Sequence, residues 1–436
     1  MKKLISTLTN IWKIDELRDR IVNTLLFLLV YRVGSFVVLP GVDTASLANN
    51  KQDGILGLLN MFAGGSFSRA SIFALGVMPY ISASIVIQLF GIAIPYFQRL
   101  QKEGESGRKK MNQITRYLTI AITLLQSIGY IKSQISPEAK FISEPLFTIT
   151  SMFILTAGTL FVMWLGEKIT DKGLGNGVSL IIMVGIIAQL PFSFVAELTS
   201  RTSGNGGLIP FVVELIALFF VVIFTILIVQ GTRKIPVQYA KKMIGATKQM
   251  AGSVRQYIPI KVNSAGVMPI IFAQALMFIP ATLSQFFPNF QSSFLSALSN
   301  YTSFSYNLVF GLLIILFTLF YTAISINPDQ MSEDMRKNNG FIPGVKPGQS
   351  TSQYIDMVVT RLTIPGGFFL AVIAILPSIA VMVGVNSQFA HFYGGTSLLI
   401  LVGVVLDTLQ QIESHLLMRH YDGLMESGRI KGRVNE

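Results

Sequence analysis

Ten apolar runs, each about twenty residues long, restrict what this chain can fold into more than any other feature. A helix of about 20 residues crosses roughly 30 Å of hydrocarbon. Lipid offers no water to backbone polar groups, so a run of this kind must bond within itself and becomes helical. The sequence therefore predicts an all-α polytopic membrane protein. The runs occupy 21–39, 71–96, 114–132, 146–166, 176–195, 210–230, 266–287, 306–326, 364–385 and 394–412.

The composition excludes most other classes of protein. Hydrophobic residues make up 51% of the 436 residues and charged residues only 13%. Soluble domains carry about 25% charged residues, so this chain cannot cover a water-exposed surface of ordinary polarity. Cysteine is absent, which excludes disulfides, thiolate catalysis and cysteine-ligated metals.

Lysine and arginine are distributed unequally over the segments that join the runs. With the N-terminus placed inside, the inner segments hold 27 of these residues and the outer segments hold 4. Inner loops of membrane proteins carry the positive excess, so both termini are predicted to lie inside. The predicted regions are an inner N-terminal segment at 1–20, a first five-helix half at 21–195, an outer hinge loop at 196–209, a second five-helix half at 210–412 with inner loops at 231–265 and 327–363, and an inner tail at 413–436.

A shorter apolar segment, 55–67, lies between the first two runs. Its 13 residues would reach about 20 Å as a helix, which is too short to span. One interpretation is a re-entrant half-helix that enters from outside and turns back at Gly64 and Gly65, buried in protein or lining a cavity. The other is an amphipathic helix on the outer surface. The residues alone leave both open.

The tetrapeptide Gly-Val-Met-Pro occurs at 76–79 in the second run and again at 266–269 in the seventh. An offset of five runs places the copies in opposite directions, which is typical of an inverted repeat of two five-helix halves with the working site between them. Both prolines are predicted to allow a bend within their runs. The aliphatic residues that follow them are interpreted either as core or lipid-facing side chains or as a ring that closes a pore by excluding water.

The inner loops are strongly basic. Segment 231–265 carries seven Lys or Arg residues, and no Asp or Glu occurs from 215 to 328. Part of this excess serves topology, and the remainder offers an electrostatic target to a phosphate backbone or an acidic protein face. Segment 97–113 is a second basic loop, and the turn 344–348 presents the single cation of Lys346.

Ionisable residues inside the runs are few. Glu214 and Asp407 lie near the ends of the sixth and tenth runs, which favours interfacial anchoring for both. Arg32 lies within the first run, where a charge costs about 2.5–3.5 kcal/mol, so we expect it either to snorkel or to pair across the bundle, for example with Glu214 or Asp407.

The residues indicate no enzyme, cofactor or metal site. No nucleophile–base pair is evident, and the three histidines, His391, His415 and His420, lack metal-binding companions. A secondary transporter of a small solute remains an alternative, since an inverted repeat permits one. Ion coupling would require a carboxylate inside the bundle, which the runs do not offer.

Several longer strings resemble the SecY family of protein-translocase channel subunits, in order along essentially the whole chain. They are MFAGGSFSRASIFALGVMPYISASIVIQLF at 61–90, EGESGR at 103–108, GLGNGVS at 173–179, KVNSAGVMP at 261–269 and GGTSLLI at 394–400.

The resemblance implies a protein-conducting channel with three parts. The half-helix would be a plug, with residues Leu58, Leu59, Met61, Phe62, Gly64 and Gly65. The pore ring would consist of Val77, Ile81, Ile182, Ile271 and Ile400. The second and seventh runs would form a lateral gate that releases apolar segments into lipid, with residues Pro79, Ile85, Gln88, Pro269 and Gln274.

The resemblance also implies partners and a location. The basic loops would dock the ribosome or the SecA motor ATPase, SecE and SecG would be small membrane subunits, and secretory and membrane-protein chains would be the substrates. Lys346 stands where the family commonly has arginine, which keeps the charge but loses bidentate geometry. The location would be the bacterial cytoplasmic membrane. The implied docking residues are Lys241, Lys242, Lys248, Arg255 and Lys346.

Overall fold

The computed structural model describes residues 12, 14–43, 55–203, 207–239, 255–286, 298 and 300–426. The chain divides into two compact units. One consists of Met1–Val195, Gln285–Pro288 and Gly403–Glu436, and the other of Ala196–Ser284 and Asn289–Val402.

The first unit is helical in its described part. The 30 and 29 residues of its two longest helices correspond to about 45 Å each, more than the hydrocarbon layer requires. Its core includes Leu39, Tyr130, Ile131 and Phe147, all buried. The helices are α1 (Asp15–Gly34), α2 (Ile55–Phe62), α3 (Met78–Ala93), α4 (Pro95–Lys102), α5 (Glu105–Gln134), α6 (Glu144–Lys172) and α7 (Gly177–Thr202), which passes into the second unit after Val195.

The second unit combines helices with a small sheet. The helices are α8 (Leu208–Gln230), α9 (Met268–Phe286), α10 (Phe304–Ser325), α11 (Pro328–Lys337), α12 (Gln349–Met382), the short α13 (Ser387–Ala390) and α14 (Gly395–Glu426), whose later part belongs to the first unit. The strands are β1 (Thr232–Tyr239), β2 (Arg255–Lys261) and β3 (Gly340–Phe341).

Each predicted span contains a helix, but only part of the ten-span prediction can be tested by length and composition. Seven helices among the described residues are long and apolar enough to cross a membrane, namely α5, α6, α7, α8, α10, α12 and α14. An eighth span results if α3 and α4, which meet at 95°, are counted as one. Charged residues interrupt α1, and the part of α9 whose side chains the structure describes, Met268–Met277, is apolar but too short to span. The protein is therefore a multi-pass membrane protein, and ten spans remain a prediction.

The small sheet was not predicted by the all-α fold class. β1 pairs antiparallel with β2 from Thr232↔Lys261 to Gln238↔Arg255, and β3 pairs with the far end of β1. Ile235, Val237 and Ile260 pack against α11 and the first turns of α12 in a core of their own.

Two predicted boundaries were wrong. The proposed hinge loop at 196–209 is helical up to Thr202, because α7 continues beyond the apolar run. Segment 327–363, predicted as an inner loop, is largely ordered as α11, β3 and the start of α12, a helix of 34 residues that measures about 51 Å. In both places the helix includes polar residues beyond the apolar run from which its boundary was predicted.

Candidate functional site

The two copies of the Gly-Val-Met-Pro repeat adopt the same local structure. Six turn residues precede the helix in each copy, and Gly76 and Gly266 have positive φ values of 53° and 64°. α3 and α9 then begin at the methionine, with the proline in the second helical position. Proline there lacks only an N–H that has no helical partner, so it starts the helix without bending it. Both prolines therefore begin a helix, and the predicted break of a helical hydrogen-bond ladder at Pro79 and Pro269 is not observed.

The common starting point of the two helices also fixes the positions of predicted ring residues. Val77 and Ile81 lie one helical turn apart at the start of α3. The amide of Ile81 donates to the carbonyl of Val77 at 3.0 Å, and the amide of Ile271 donates to the carbonyl of Val267 at 3.3 Å. Ile81 and Ile271 thus occupy equivalent positions in the first turns of α3 and α9. This equivalence extends the repeat from sequence to backbone structure.

The five predicted ring residues are all at least half buried, each within its own unit. Val77 and Ile182 are buried in the first unit, and Ile400 is buried in the second. Ile81 and Ile271 are half-buried. The ring itself remains a prediction.

The half-helix is shorter than its apolar segment. α2 covers Ile55–Phe62, about 12 Å, and ends in a turn at Gly64 and Gly65, which have φ values of 63° and 84°. Met61, Phe62 and Gly64 are buried. The predicted turn at Gly64–Gly65 is confirmed, and its burial favours protein-enclosed backbone over a surface helix. The side chains of Leu58 and Leu59 lie outside the described residues.

Arg32 bonds to a backbone carbonyl and not to a carboxylate. Its Nη1 donates to the carbonyl of Gly64 at 2.9 Å, and Nη2 of Arg69 donates to the same oxygen at 3.0 Å. The suggested pairing of Arg32 with Glu214 or Asp407 was therefore wrong. The turn after α2 lies close enough to α1 for Arg32 to reach it. The carbonyl of Gly64 accepts the hydrogen bond of Arg32 without adding a carboxylate charge.

Gly185 of α7 makes room for the turn. A Cβ built on Gly185 would lie 2.5 Å from the carbonyl oxygen of Phe62 and 3.2 Å from the amide of Gly64. A Cβ on Gly64 would lie 3.0 Å from both the Cα of Gly185 and Nη1 of Arg32. The end of the half-helix and α7 thus meet backbone to backbone, which only glycine permits.

Glu214 is buried in an ion-pair cluster, so its interpretation as an interfacial anchor was wrong. The Nε of Arg201 donates to Glu197 at 2.8 Å, and its Nη2 donates to Glu214 and, at 2.7 Å, to the carbonyl of Gly384. The second oxygen of Glu197 accepts the amide of Asn386 at 2.8 Å. The added turns of α7 bring Arg201 between the two carboxylates. Asp407 is exposed.

The predicted gate residues lie on two helices of different units. On α3, Pro79 and Ile85 are buried, and Gln88 is half-buried and donates to Ser84 at 3.2 Å. On α9, Pro269 is buried, as is Gln274, whose Nε2 has no hydrogen-bond partner.

The predicted docking residues are only partly described. Lys241, Lys242 and Lys248 lie outside the described residues, as does the side chain of Arg255, whose backbone belongs to β2. Lys346 is exposed in a turn between Gly344 and Gly348, which have positive φ values of 85° and 100°. Among the described residues, no group of three or more His, Cys, Asp or Glu residues could hold a metal ion.

Comparison with known proteins identifies the family. The SecY family model matches residues 71–409. The protein translocase subunit SecY of Corynebacterium glutamicum is 40% identical over 451 residues, with 97% of this chain and all of that protein aligned. The SecY subunit of Streptomyces scabiei is 39% identical, with 97% and 100% aligned. The chain belongs to the SecY family. The resemblance predicted from the five sequence strings is confirmed.

Solved structures of the family share the fold at low identity. A protein-conducting channel matches with a TM-score of 0.67 at 16% identity, covering 91% of this chain and 92% of that one. A SecY protein studied for its plug domain matches with 0.62 at 17% identity and the same coverage. Sec61 in a canine ribosome–channel complex from the endoplasmic reticulum matches with 0.62 at 16% identity, again over 91% and 92%.

Sequence reasoning missed two residues of the half-helix site. Arg69 was counted only as an outer charge, although it lies inside the string 61–90 that carried the family resemblance. Gly185 was hidden in an apolar run, where a single glycine has no distinctive pattern. Arg69 lies four positions after Gly65, and this proximity to a predicted tight turn was the available signal for its role.

Proposed function

We propose that this chain is a protein-conducting channel subunit of the Sec translocase and not an enzyme. It passes unfolded secretory polypeptides across the membrane and releases apolar segments into lipid. The observation that carries the proposal is membership in the SecY family over 71–409, together with relatives that are protein translocase subunits along their full length. The same membership decides against a secondary solute transporter.

The pore ring of Val77, Ile81, Ile182, Ile271 and Ile400 would form the constriction. Dispersion contacts of aliphatic side chains are not directional, so such a ring fits an extended chain of any sequence. An apolar constriction that closes without a chain excludes ions by losing its water. The equivalent first turns of α3 and α9 support placing Ile81 and Ile271 in one ring.

The half-helix α2 and its turn would be the plug that closes the channel from outside. Its burial and its contacts with α1 and α7 support a docked position within the first unit. A structurally similar SecY protein has a plug domain that stabilises the closed state of its translocation channel and maintains a membrane seal. The same role is proposed here.

The lateral gate would lie between α3 and α9. An apolar segment of the substrate gains free energy by leaving an aqueous pore for lipid, so insertion becomes a partition at this gate. Gln88 and Gln274 would be the polar side chains along it.

The partners would meet the chain at its basic inner surface. The ribosome and the SecA motor would dock on 231–265 and 327–363, and SecE and SecG would complete the membrane part. A structurally similar channel occurs in a ribosome–channel complex, which supports the ribosome as a partner. We place the protein in the bacterial cytoplasmic membrane with both termini in the cytoplasm.

An arrested secretory chain tests this function directly. The chain has no cysteine, so single cysteines can be introduced at Ile81 and Ile271 without background. Both are expected to crosslink to the arrested chain, whereas a cysteine at Phe153, which is 67% exposed on α6, is expected not to react. Equal crosslinking at all three positions, or none at the two isoleucines, would contradict the proposal.

A further inference from the structure

Two arginines share one carbonyl oxygen at the end of the half-helix. Arg32 and Arg69 donate to the oxygen of Gly64 at 2.9 Å and 3.0 Å. Their guanidinium carbons also lie 4.9 Å and 4.4 Å from the centre of the Phe36 ring. A cation over an aromatic face is attracted by the ring, so the three side chains form one cluster around the turn.

The charge of this cluster is not balanced by an acid. Within the described part of the chain, neither arginine forms an ion pair with a carboxylate. Arg69 also has a buried Nε without a hydrogen-bond partner. Bringing like charges together out of water costs free energy that hydrogen bonds must offset. Here the shared acceptor that offsets it is the Gly64 carbonyl.

The turn fits its position by close backbone contact. Gly64 has a φ of 63°, and its amide lies 3.2 Å from where a Cβ on Gly185 would be. A Cβ on Gly65 would lie 2.4 Å from the side-chain nitrogen of Gln189. The turn is therefore held on one side by the arginines and on the other by α7.

We propose that Arg32 and Arg69 are positioning residues that hold the half-helix in its docked place, as an arginine clamp on the Gly64 carbonyl. The inference rests on the proposed function, in which this half-helix is the plug. Departure of the turn removes the shared acceptor and lets the two guanidiniums separate. Because the two guanidiniums repel each other, they stabilise the docked turn by less than two independent hydrogen bonds would. The clamp therefore stabilises the closed state yet remains reversible.

The shared acceptor gives the clamp a distinctive energetic signature. Removing one arginine loses a bond and also relieves the repulsion, so the remaining arginine holds the turn better than before. Removing both loses both bonds and relieves the repulsion only once. The effect of the double substitution must therefore exceed the product of the single effects, which a double-mutant cycle measures.

A cysteine in place of Ser66 reports the position of the turn. Ser66 is fully buried and its Oγ has no hydrogen-bond partner, so the replacement loses no bond. The full chain with its co-purifying subunits, reconstituted in lipid vesicles, is labelled with a maleimide. Arg32→Gln and Arg69→Gln are each expected to raise the labelling rate about tenfold, because each loses a charged hydrogen bond. The double variant should exceed the product of the two.

Two further variants serve as control and as independent test. Arg20→Gln, on the same helix as Arg32, removes only an exposed contact with Glu16 at 3.3 Å and should leave labelling unchanged. Gly185→Ala displaces the turn without altering either arginine and should raise labelling. A second cysteine at Ala390, fully buried in the other unit, stays unlabelled in every variant that has folded.

The outcomes separate the clamp from the proposed function. Unchanged labelling in the double variant, or single effects that multiply to the double effect, would overturn the clamp. If the double variant does not fold, unchanged labelling in both Arg69→Lys and Gly185→Ala would overturn it. Translocation of a secretory chain is followed in the same vesicles. Translocation without any labelling response refutes the clamp alone, whereas a labelling response without translocation by the unsubstituted chain refutes the channel and leaves the clamp standing.

Discussion

At the scale of single residues, the proposed function depends on apolar side chains at the first turns of α3 and α9. Replacing Ile81 or Ile271 with Asn removes an apolar group whose burial contributes about 1.5–3 kcal/mol. A polar side chain also favours water in the constriction. We expect ion leak through resting vesicles to rise about tenfold or more, with weaker discrimination against defective signal sequences.

The matched control for this change is Ile149→Asn. Ile149 is 54% exposed on α6 and is not a proposed ring residue. Ion flux is measured with a dye trapped in the vesicles. An equal leak from Ile149→Asn, or no leak from the two ring variants, would show that the isoleucines do not seal the channel.

His391 gives a residue-scale prediction for pH. It is buried beside Tyr301, with ring centres 5.6 Å apart, and burial lowers the pKa of His391 from 6.5 to about 4. Between these values the unfolded chain binds a proton that the folded chain does not, so stability falls as pH drops from about 6.5 towards 4. Above this window the contribution of His391 is constant.

Replacing His391 with Phe keeps an aromatic ring and removes the titration. The midpoint of thermal unfolding in detergent should then fall less steeply between pH 7 and pH 5 than in the unsubstituted protein. His415→Phe, at a half-buried position on α14, is the control. A slope that stays the same in His391→Phe and changes in His415→Phe would refute this assignment.

At the scale of elements, the apolar pattern predicted where helices occur, but not where they begin and end. The run 71–96 begins with six turn residues after Ser71, because Gly76 takes a positive φ and Pro79 favours the first turn of a helix. Hydropathy does not register either effect. The continuation of α7 to Thr202 depends on the pairing of Arg201 with two glutamates, which only the folded structure brings together.

The sheet of β1, β2 and β3 shows a second kind of limit on prediction from the sequence. Its strands lie in a basic segment, and their apolar positions Ile235, Val237 and Ile260 pack on residues about a hundred positions later in the chain. A strand pattern of this length is easily overlooked beside ten membrane runs. Only the basic charge of 231–265 could be predicted from the sequence.

The sheet also carries an element-scale prediction. Ile235→Ala removes a buried side chain from the small core, and such substitutions typically cost about 2–5 kcal/mol. Salt-sensitive ribosome binding should weaken and proteolysis within 231–265 should accelerate. Tyr257→Ala, at a 54% exposed position on β2, should have neither effect. Normal ribosome binding by a variant whose sheet is readily cleaved would contradict a docking role for this element.

At the scale of the whole molecule, charge and apolarity are segregated. The 27 predicted inner cations can attract a ribosome or an acidic motor surface, while the spans contain few charges that could bind an ion or a solute. A chain built in this way can recruit a partner that supplies energy and still pass substrates without selecting their sequence. Membership in the SecY family and the repeated first turns of α3 and α9 support the proposed protein-conducting channel.

The most direct test of this account measures ion flux and polypeptide translocation in the same vesicles. With the full translocase, a motor partner and no substrate, ion flux should match that of protein-free vesicles. Adding a secretory chain should produce a protease-protected product inside the vesicles. Sustained ion flux in the resting state, or failure of any secretory chain to enter under conditions where the motor hydrolyses ATP, would contradict an aliphatic constriction that conducts polypeptides and holds back ions.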